Sequence, residues 1–393
     1  MIRAADDGDR VLPDILHAGD GSESPPMRRV VVCTRWGIGD CVMSIPSLRA
    51  LRRSQPDARF TWLVGTQSID LAHAYAWPED AVEPYQQHAL RAWQDDRPEA
   101  LAGAEAWVRA LDAEGAPRDA VHVFGILHAP KALRDRVLDQ GFVCHHGDQV
   151  AEVAVARSGA GPETAVAQNT ALGWNIRHCD DDFAPLVVPD DAAAEAAALL
   201  RDAGVEVGVT APPLAVAANA GSPLKVPDPQ VVADAIEALL AQGGARPVLL
   251  FTGPEPRPAA ALAEALHARG VAHTLLPPID LNAAAGVLQR CALLLCPDSG
   301  LMHLAAAVRC PTTGLFGPTS PRFYLPRINR SAAAAPPLEE EPCPERDPDR
   351  MGPPNCNIER RCFKGHRSCI DLLRADDIVA AALPLLRPEP IYA

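Results

Sequence analysis

The chain has 393 residues, of which 48% are hydrophobic and 22% are charged, and its formal net charge is −14. This length favours two or three domains over one, and the hydrophobic content is sufficient for packed cores. The acidic balance argues against a nucleic-acid partner and against stable adsorption to anionic lipid, so we expect at most peripheral contact with a membrane.

Residues 1–27 form an acidic, polar leader without the apolar segment of a secretory signal. No apolar run approaches the roughly 18 residues needed to cross a bilayer. Several cysteines, such as Cys33 and Cys291, lie in apolar strand-like segments, where buried thiols are common. We therefore predict a disordered leader and a protein of the reducing cytoplasm, including the inner face of its membrane.

The first predicted domain covers residues 28–185. Arg29–Thr34 is a β-branched run, a glycine turn follows it, and a helical pattern extends from Val42 to Ser54 before a second strand at Arg59–Val64. Such a β-α-β unit implies parallel strands. The strand-like run Ala120–Phe124 continues the alternation, which predicts an α/β domain.

A polar, proline-containing break precedes a second α/β domain. The alanine-rich helix predicted at Asp191–Ala203 is assigned to a connection over residues 186–207. Strands and helices then alternate again, which predicts a second domain over residues 208–335, and residues 336–393 form a cysteine-bearing tail with a terminal helix. We predict that these two Rossmann-like, doubly wound domains face each other across a central cleft. Ligands of such sheets bind outside the carboxyl ends of the strands.

Asp40 is the candidate catalytic residue of the first domain. It follows Gly37-Ile38-Gly39, where the first strand ends and the helix begins. A carboxylate at this point can face the cleft and accept a proton from an attacking hydroxyl. The helix dipole is expected to keep it ionised and to weaken it as a base. A plain helix N-cap is the alternative interpretation.

Residues 296–303 of the second domain read Cys-Pro-Asp-Ser-Gly-Leu-Met-His. This pattern predicts the end of a strand, a tight turn and a helix start, whose unpaired amides and dipole suit a diphosphate. Ser299 offers a hydroxyl, Gly300 would let a ligand approach the backbone, Asp298 can accept hydrogen bonds from sugar hydroxyls, and His303 follows one turn later. A helix N-cap with a turn glycine is again the alternative.

Two further loops offer donor groups at strand ends. Asn219, Ser222 and Lys225 follow the first strand of the second domain, and Lys225 can place a point charge on a phosphate. Gly317 and Thr319 follow the last strand that we predict there, and would add backbone and hydroxyl donors. A solvated surface lysine is the alternative for Lys225.

Four cysteines lie within the proline-rich tail: Cys343, Cys356, Cys362 and Cys369, with His366 between the last two. Their spacing matches no common zinc finger. A structural metal site (zinc or iron), a disulfide pair and free thiols are the three interpretations.

Three stretches, taken together, resemble glycosyltransferase family 9, the ADP-heptose heptosyltransferases. Residues 35–53 look like the family's amino-terminal Gly-Asp motif and the helix after it. Residues 297–307 look like its Asp-Thr/Ser-Gly-x-x-His-x-Ala-Ala signature, and residues 316–321 look like its Phe-Gly-Pro-Thr element. In outline the resemblance extends from about Val30 to Leu386, with little support between residues 66 and 210.

The resemblance implies a GT-B fold and an inverting transfer that requires no catalytic metal or other cofactor. It makes Asp40 the general base that activates an acceptor hydroxyl. An ADP-sugar donor would be held by ten residues: Asn219, Ser222, Lys225, Glu255, Asp298, Ser299, Gly300, His303, Gly317 and Thr319.

Glu255 is assigned less directly, because Arg257 stands about where family members often have a glutamate. Either Glu255 would substitute for that glutamate, or recognition of the nucleotide base would differ. The acceptor would be a glycan, the lipopolysaccharide core or a protein. The residues from Cys362 to Cys369 resemble the cysteine-bearing tail of some members, which favours considering a protein acceptor. A nucleotide-sugar 2-epimerase of the same fold and a non-catalytic sugar-nucleotide-binding subunit are the alternative functions.

Overall fold

The computed structural model describes residues 28–34, 37–76, 81–85, 121–124, 143–145, 180–206, 208, 210–336, 343, 355–364 and 369–386. The predicted leader, Arg35, Trp36 and His366 lie outside the described residues. Within them, no helix is long and apolar enough to cross a membrane.

The first domain contains a parallel sheet with the strand order β3-β2-β1-β4-β5. The β-α-β unit predicted at its start is present. The helix begins four residues earlier than its predicted start, since Ile38, Gly39 and Asp40 already belong to it. The elements are β1 (Arg29–Thr34), α1 (Ile38–Ser54), β2 (Arg59–Gly65), α2 (Ile69–Tyr75), β3 (Ala81–Tyr85), β4 (Val121–Phe124) and β5 (Val143–His145).

The second domain contains a parallel sheet with the order β11-β10-β9-β6-β7-β8. Its central strands are buried along their whole length, as expected for a sheet covered by helices on both faces. The elements are α3 (Asp190–Asp202), β6 (Leu214–Ala217), α4 (Pro229–Gly243), β7 (Val248–Phe251), α5 (Arg257–Ala268), β8 (Thr274–Leu276), α6 (Leu281–Leu288), β9 (Leu293–Pro297), α7 (Gly300–Ala307), β10 (Thr312–Leu315), α8 (Pro321–Tyr324), β11 (Ser331–Ala334), α9 (Asn355–Ile358) and α10 (Ala375–Leu386).

Helix α3, which we assigned to the connection, packs on α6 of the second domain. Gly286 allows the close approach, since a methyl group there would lie 2.8 Å from Ala196 Cβ and 3.3 Å from the Ala192 carbonyl oxygen. The terminal helix α10 packs on α4 and against β10 and β11. Both helices thus complete the second domain.

Arginine side chains of α1 hold the connection between the two domains. Arg49 donates hydrogen bonds to the carbonyl oxygens of Asp182 (3.2 Å) and Ala184 (2.6 Å). Arg53 forms an ion pair of 2.7 Å with the carboxylate of Asp182, whose side chain is almost fully buried. Asp182 and Ala184, which directly precede the connection, are therefore held against α1 of the first domain.

Helices α1 and α7 bring the two domains into direct contact through their first turns. A methyl group at Gly300 would lie 2.5 Å from Ile38 Cβ and 3.0 Å from the backbone nitrogen of Gly39. A methyl group at Gly39 would in turn lie 2.8 Å from His303 Cδ2. The carboxyl-end turns that hold Asp40 and Asp298 thus meet at the domain boundary.

Candidate active site

Asp40 is the third residue of α1 and does not cap it. The N-cap is Gly37, which has an extended backbone and no side chain with which to cap. Asp40 is partly buried, and hydrogen bonds from the backbone amides of Gly37 and of Asp40 itself favour its ionised form. The plain N-cap interpretation is therefore wrong for this residue.

Burial raises the pKa of Asp40 to about 6, and the nearby negative charge of Asp298 adds to this effect. The backbone hydrogen bonds and the positive charge of Lys225 lower the pKa, but they do not offset desolvation. We expected the helix start to lower the pKa of this carboxylate and so to make it a weak base. Instead, the net effect of its surroundings is to raise the pKa. A carboxyl group with a pKa near 6 suits general base catalysis close to neutral pH.

Lys225 and Asp298 form an ion pair across the second domain, with 3.1 Å between Lys225 Nζ and Asp298 Oδ2. The exposed fractions of the two side chains are 15% and 7%. The sequence predicted both residues for the site and assigned each to a ligand, but the structure pairs them with each other. A carboxylate this deeply buried requires a cation, because an uncompensated charge there would be strongly destabilising.

His303 lies buried between the two domains, beside Gly39. Burial lowers the pKa of His303 to about 4, while the charge of Asp298 opposes this shift. His303 also lines a pocket whose other residues are mostly apolar, such as Val42 and Ala306, with Arg49 and Arg327 among them. His303 is therefore neutral at physiological pH, where one ring nitrogen can donate a hydrogen bond and the other can accept one.

Several buried hydroxyl groups at the strand ends have no hydrogen-bond partner within the described residues. They belong to Ser222, Ser299 and Thr319, which the sequence predicted, and to Thr252, which it did not. Buried polar atoms are rarely left unsatisfied unless a ligand or water completes them. Thr252 directly follows β7, and this position at a strand's carboxyl end was the signal that could have identified it.

Two glycines predicted for the donor site have a packing role that the sequence did not predict, and their ligand roles stay predictions. Gly300 was expected to let a ligand approach the backbone, but it is Ile38 and Gly39 of α1 that approach it. Gly317 was expected to present a backbone donor to the ligand. A methyl group at Gly317 would lie 2.8 Å from Ile370 Cβ, so this glycine makes room for the C-terminal segment.

Asn219 and Glu255 organise the turn after β7. The Asn219 amide donates to the carbonyl oxygens of Thr252 (2.6 Å) and Glu255 (2.7 Å), while Asn219 Oδ1 has no partner within the described residues. The Glu255 carboxylate is exposed and lies 3.6 Å from the guanidinium of Arg257. The donor atoms of Asn219 therefore hold the loop, and Glu255 stands at its solvent edge.

The four tail cysteines are thiols, not disulfides, among the described residues. Cys356 is buried and the other three are half-buried. Among the described residues, no group of three or more cysteine, histidine or carboxylate side chains could hold a metal ion. The structural metal site stays a prediction, and metal analysis of the purified protein would test it.

Substitution of Gly300 by alanine tests the contact between α1 and α7. We expect Gly300→Ala to destabilise the protein by about 1–3 kcal/mol, because the added methyl group would overlap Ile38 Cβ and must displace one helix. Denaturant unfolding would measure this. The matched control is Gly221→Ala, where a methyl group would meet no atom within 4 Å. Equal stabilities of the two variants would contradict the close packing.

Two parallel, doubly wound domains with a polar site at their boundary define a GT-B fold, the fold of two solved structures. The glycosyltransferase of family 9 from Veillonella parvula has a TM-score of 0.64 at 15% identity, over 92% of this chain and 98% of that one. The Escherichia coli ADP-heptose lipopolysaccharide heptosyltransferase II has a TM-score of 0.57 at 17% identity, over the same shares. The predicted fold class is confirmed.

Residues 189–352 match the model of glycosyltransferase family 9 (heptosyltransferase). Lipooligosaccharide heptosyltransferase 2 of Haemophilus influenzae is 36% identical over 121 residues, which cover 30% of this chain and 34% of the relative. Its counterpart in Haemophilus ducreyi is 38% identical over 68 residues, 17% of this chain and 19% of the relative. The aligned parts therefore span about a third or less of these relatives. Residues 189–352 are thus similar to glycosyltransferase family 9, the family that the motifs resemble.

Proposed function

We propose that the protein is an inverting glycosyltransferase that moves a heptose, or a related sugar, from an ADP-sugar to a hydroxyl group of an acceptor. The observation that best supports this is the meeting of Asp40, with its raised pKa, and the Lys225–Asp298 pair at the domain boundary. The names of the relatives, which include ADP-heptose and lipooligosaccharide heptosyltransferases, favour this donor and a lipopolysaccharide core acceptor.

In this proposal Asp40 removes the proton from the acceptor hydroxyl as its oxygen attacks the anomeric carbon of the sugar. The bond from that carbon to the diphosphate oxygen breaks, and ADP leaves with the electron pair. Lys225 and the amides of the first turn of α7 stabilise the charge that develops on the diphosphate. The buried hydroxyls of Ser222, Ser299 and Thr319 supply further hydrogen bonds. These groups replace a catalytic metal, so EDTA should leave the rate unchanged.

A thermal-shift comparison of ADP-, UDP- and GDP-sugars tests the donor. A ligand at 100 times its dissociation constant adds about 2.7 kcal/mol to the stability of the folded state. We expect an ADP-sugar to give the largest shift. Absence of a shift with every nucleotide sugar would contradict the proposal, and turnover of the nucleotide sugar without any acceptor would favour a 2-epimerase.

A further inference from the structure

The C-terminal segment, defined as residues 355–364 and 369–372, touches both loops of the proposed donor site. Arg360 donates a hydrogen bond from Nη2 to the carbonyl oxygen of Gly221, at 3.2 Å, next to Ser222. Ile370 packs against Gly317 at the other loop. The 3-10 turns at Pro223–Lys225 and Cys369–Leu372 are also in contact. The segment is therefore built into the edge of the site.

The backbone of Arg360 is in a left-handed conformation, with φ of 54°. It ends α9 in a Schellman motif: the Arg360 amide donates to the Asn357 carbonyl oxygen (3.4 Å) and the Arg361 amide donates to the Cys356 carbonyl oxygen (3.0 Å). Glycine usually occupies this position, because other residues are disfavoured there by roughly 1 kcal/mol. Arg360 takes up this conformation although it is not glycine, as Arg309 does elsewhere in the described residues, and its side chain reaches the Gly221 carbonyl oxygen.

The charges at the proposed donor site indicate how the positive charge of Arg360 could contribute there. Lys225 is neutralised by Asp298, and Asp40 adds a further negative charge above its pKa. A nucleoside diphosphate would therefore meet no net positive charge from these three groups, because one cation stands against two carboxylates once Asp40 is ionised. The contact from Arg360 is to a neutral carbonyl group, which leaves its positive charge uncompensated by that contact.

We propose that Arg360 is a positioning residue for the diphosphate of the donor. Its guanidinium fixes the loop that presents Ser222 and Lys225, and it adds positive potential at the edge of the site. This inference rests on the proposed function, because it concerns the same donor. It assigns a role in donor binding to the C-terminal segment, which lies more than 130 residues after the loop that it holds.

The test measures ADP and adenosine binding by calorimetry to the wild-type chain and to Arg360→Gly, Arg360→Lys and Arg361→Gln. Glycine suits the left-handed backbone, so Arg360→Gly should melt at the wild-type temperature or above it. We expect its dissociation constant for ADP to rise about tenfold or more, while adenosine binding is unchanged. Arg360→Lys should be intermediate, since lysine keeps the charge without the planar fork.

Arg361→Gln is the matched control, because it removes the same charge one residue further along. Arg361 is exposed and its carboxylate partner is Glu359, at 3.9 Å. Equal ADP affinities of Arg360→Gly and Arg361→Gln would overturn the inference while leaving the proposed function intact. A wild-type chain that binds no ADP would overturn both. If Arg360→Gly failed to fold, wild-type affinity in Arg360→Lys and Arg360→Gln would overturn the inference instead.

Discussion

Replacement of Asp40 by asparagine should reduce the turnover number by about 10²–10⁴, the usual contribution of a positioned general base. Binding of the ADP-sugar should persist, because the donor contacts lie in the second domain. The amide keeps the shape of the carboxyl group and an oxygen that can accept from the Gly37 backbone. Initial rates and thermal shifts measured on the same preparation would separate the two effects. Full turnover in Asp40→Asn would contradict the role of Asp40 as the base, whereas an intact cellular function with no turnover by the wild type would favour the non-catalytic subunit.

The pH dependence of the same variant is a second readout. The folded-state pKa of Asp40, about 6, lies above its ordinary value of 3.8. Protonation of Asp40 therefore contributes fully to the free energy of unfolding below pH 4, and this contribution is lost as the pH rises through 6. Since one pKa unit corresponds to about 1.4 kcal/mol, the ionised carboxylate destabilises the fold by on the order of 3 kcal/mol at pH 8.

Asp40→Asn should accordingly be more stable than the wild type at pH 8, and the difference should shrink towards pH 4. The wild-type kcat/KM should fall below pH 6 as Asp40 becomes protonated. His303 does not contribute to this limb, because its pKa of about 4 keeps it neutral there. An acid limb that is absent or centred near pH 4 would contradict the role of Asp40.

The fold was predictable from the sequence because its signals are local. Apolar runs such as Val248–Phe251 and the Asp228–Pro229 helix start specify a strand and a helix within a few residues, and the Asp228 side chain does accept from the Gln230 amide. The strand at Ser331–Ala334 was missed, because serine and alanine have weak strand propensity and only its neighbour β10 fixes it.

The candidate site was predictable as a set of residues but not as a set of interactions. Motifs at the carboxyl ends of strands identified Asp40, Lys225 and Asp298, because parallel sheets place those ends together. The pairing of Lys225 with Asp298 and the contact of Gly39 with His303 join residues far apart in the sequence. The pKa of Asp40 depends on how deeply the second domain covers it, which no local pattern encodes.

Replacement of Lys225 by methionine should destabilise the protein by about 3 kcal/mol, because it leaves the buried carboxylate of Asp298 without a cation. The variant should also lose about 10²–10³ in rate, since it removes a group that stabilises the leaving diphosphate. These two losses have different causes, and a second substitution separates them.

The double variant Lys225→Met/Asp298→Asn removes both charges at once. Its stability should return to within about 1 kcal/mol of the wild type, because neither partner is left as a buried, unpaired ion. Its rate should stay low, since the cation that faces the diphosphate is still missing. Denaturant unfolding and initial rates on the wild type, both single variants and the double variant complete the cycle. If the double variant recovered its activity together with its stability, the function of Lys225 would be to neutralise Asp298, and the diphosphate would need another cation.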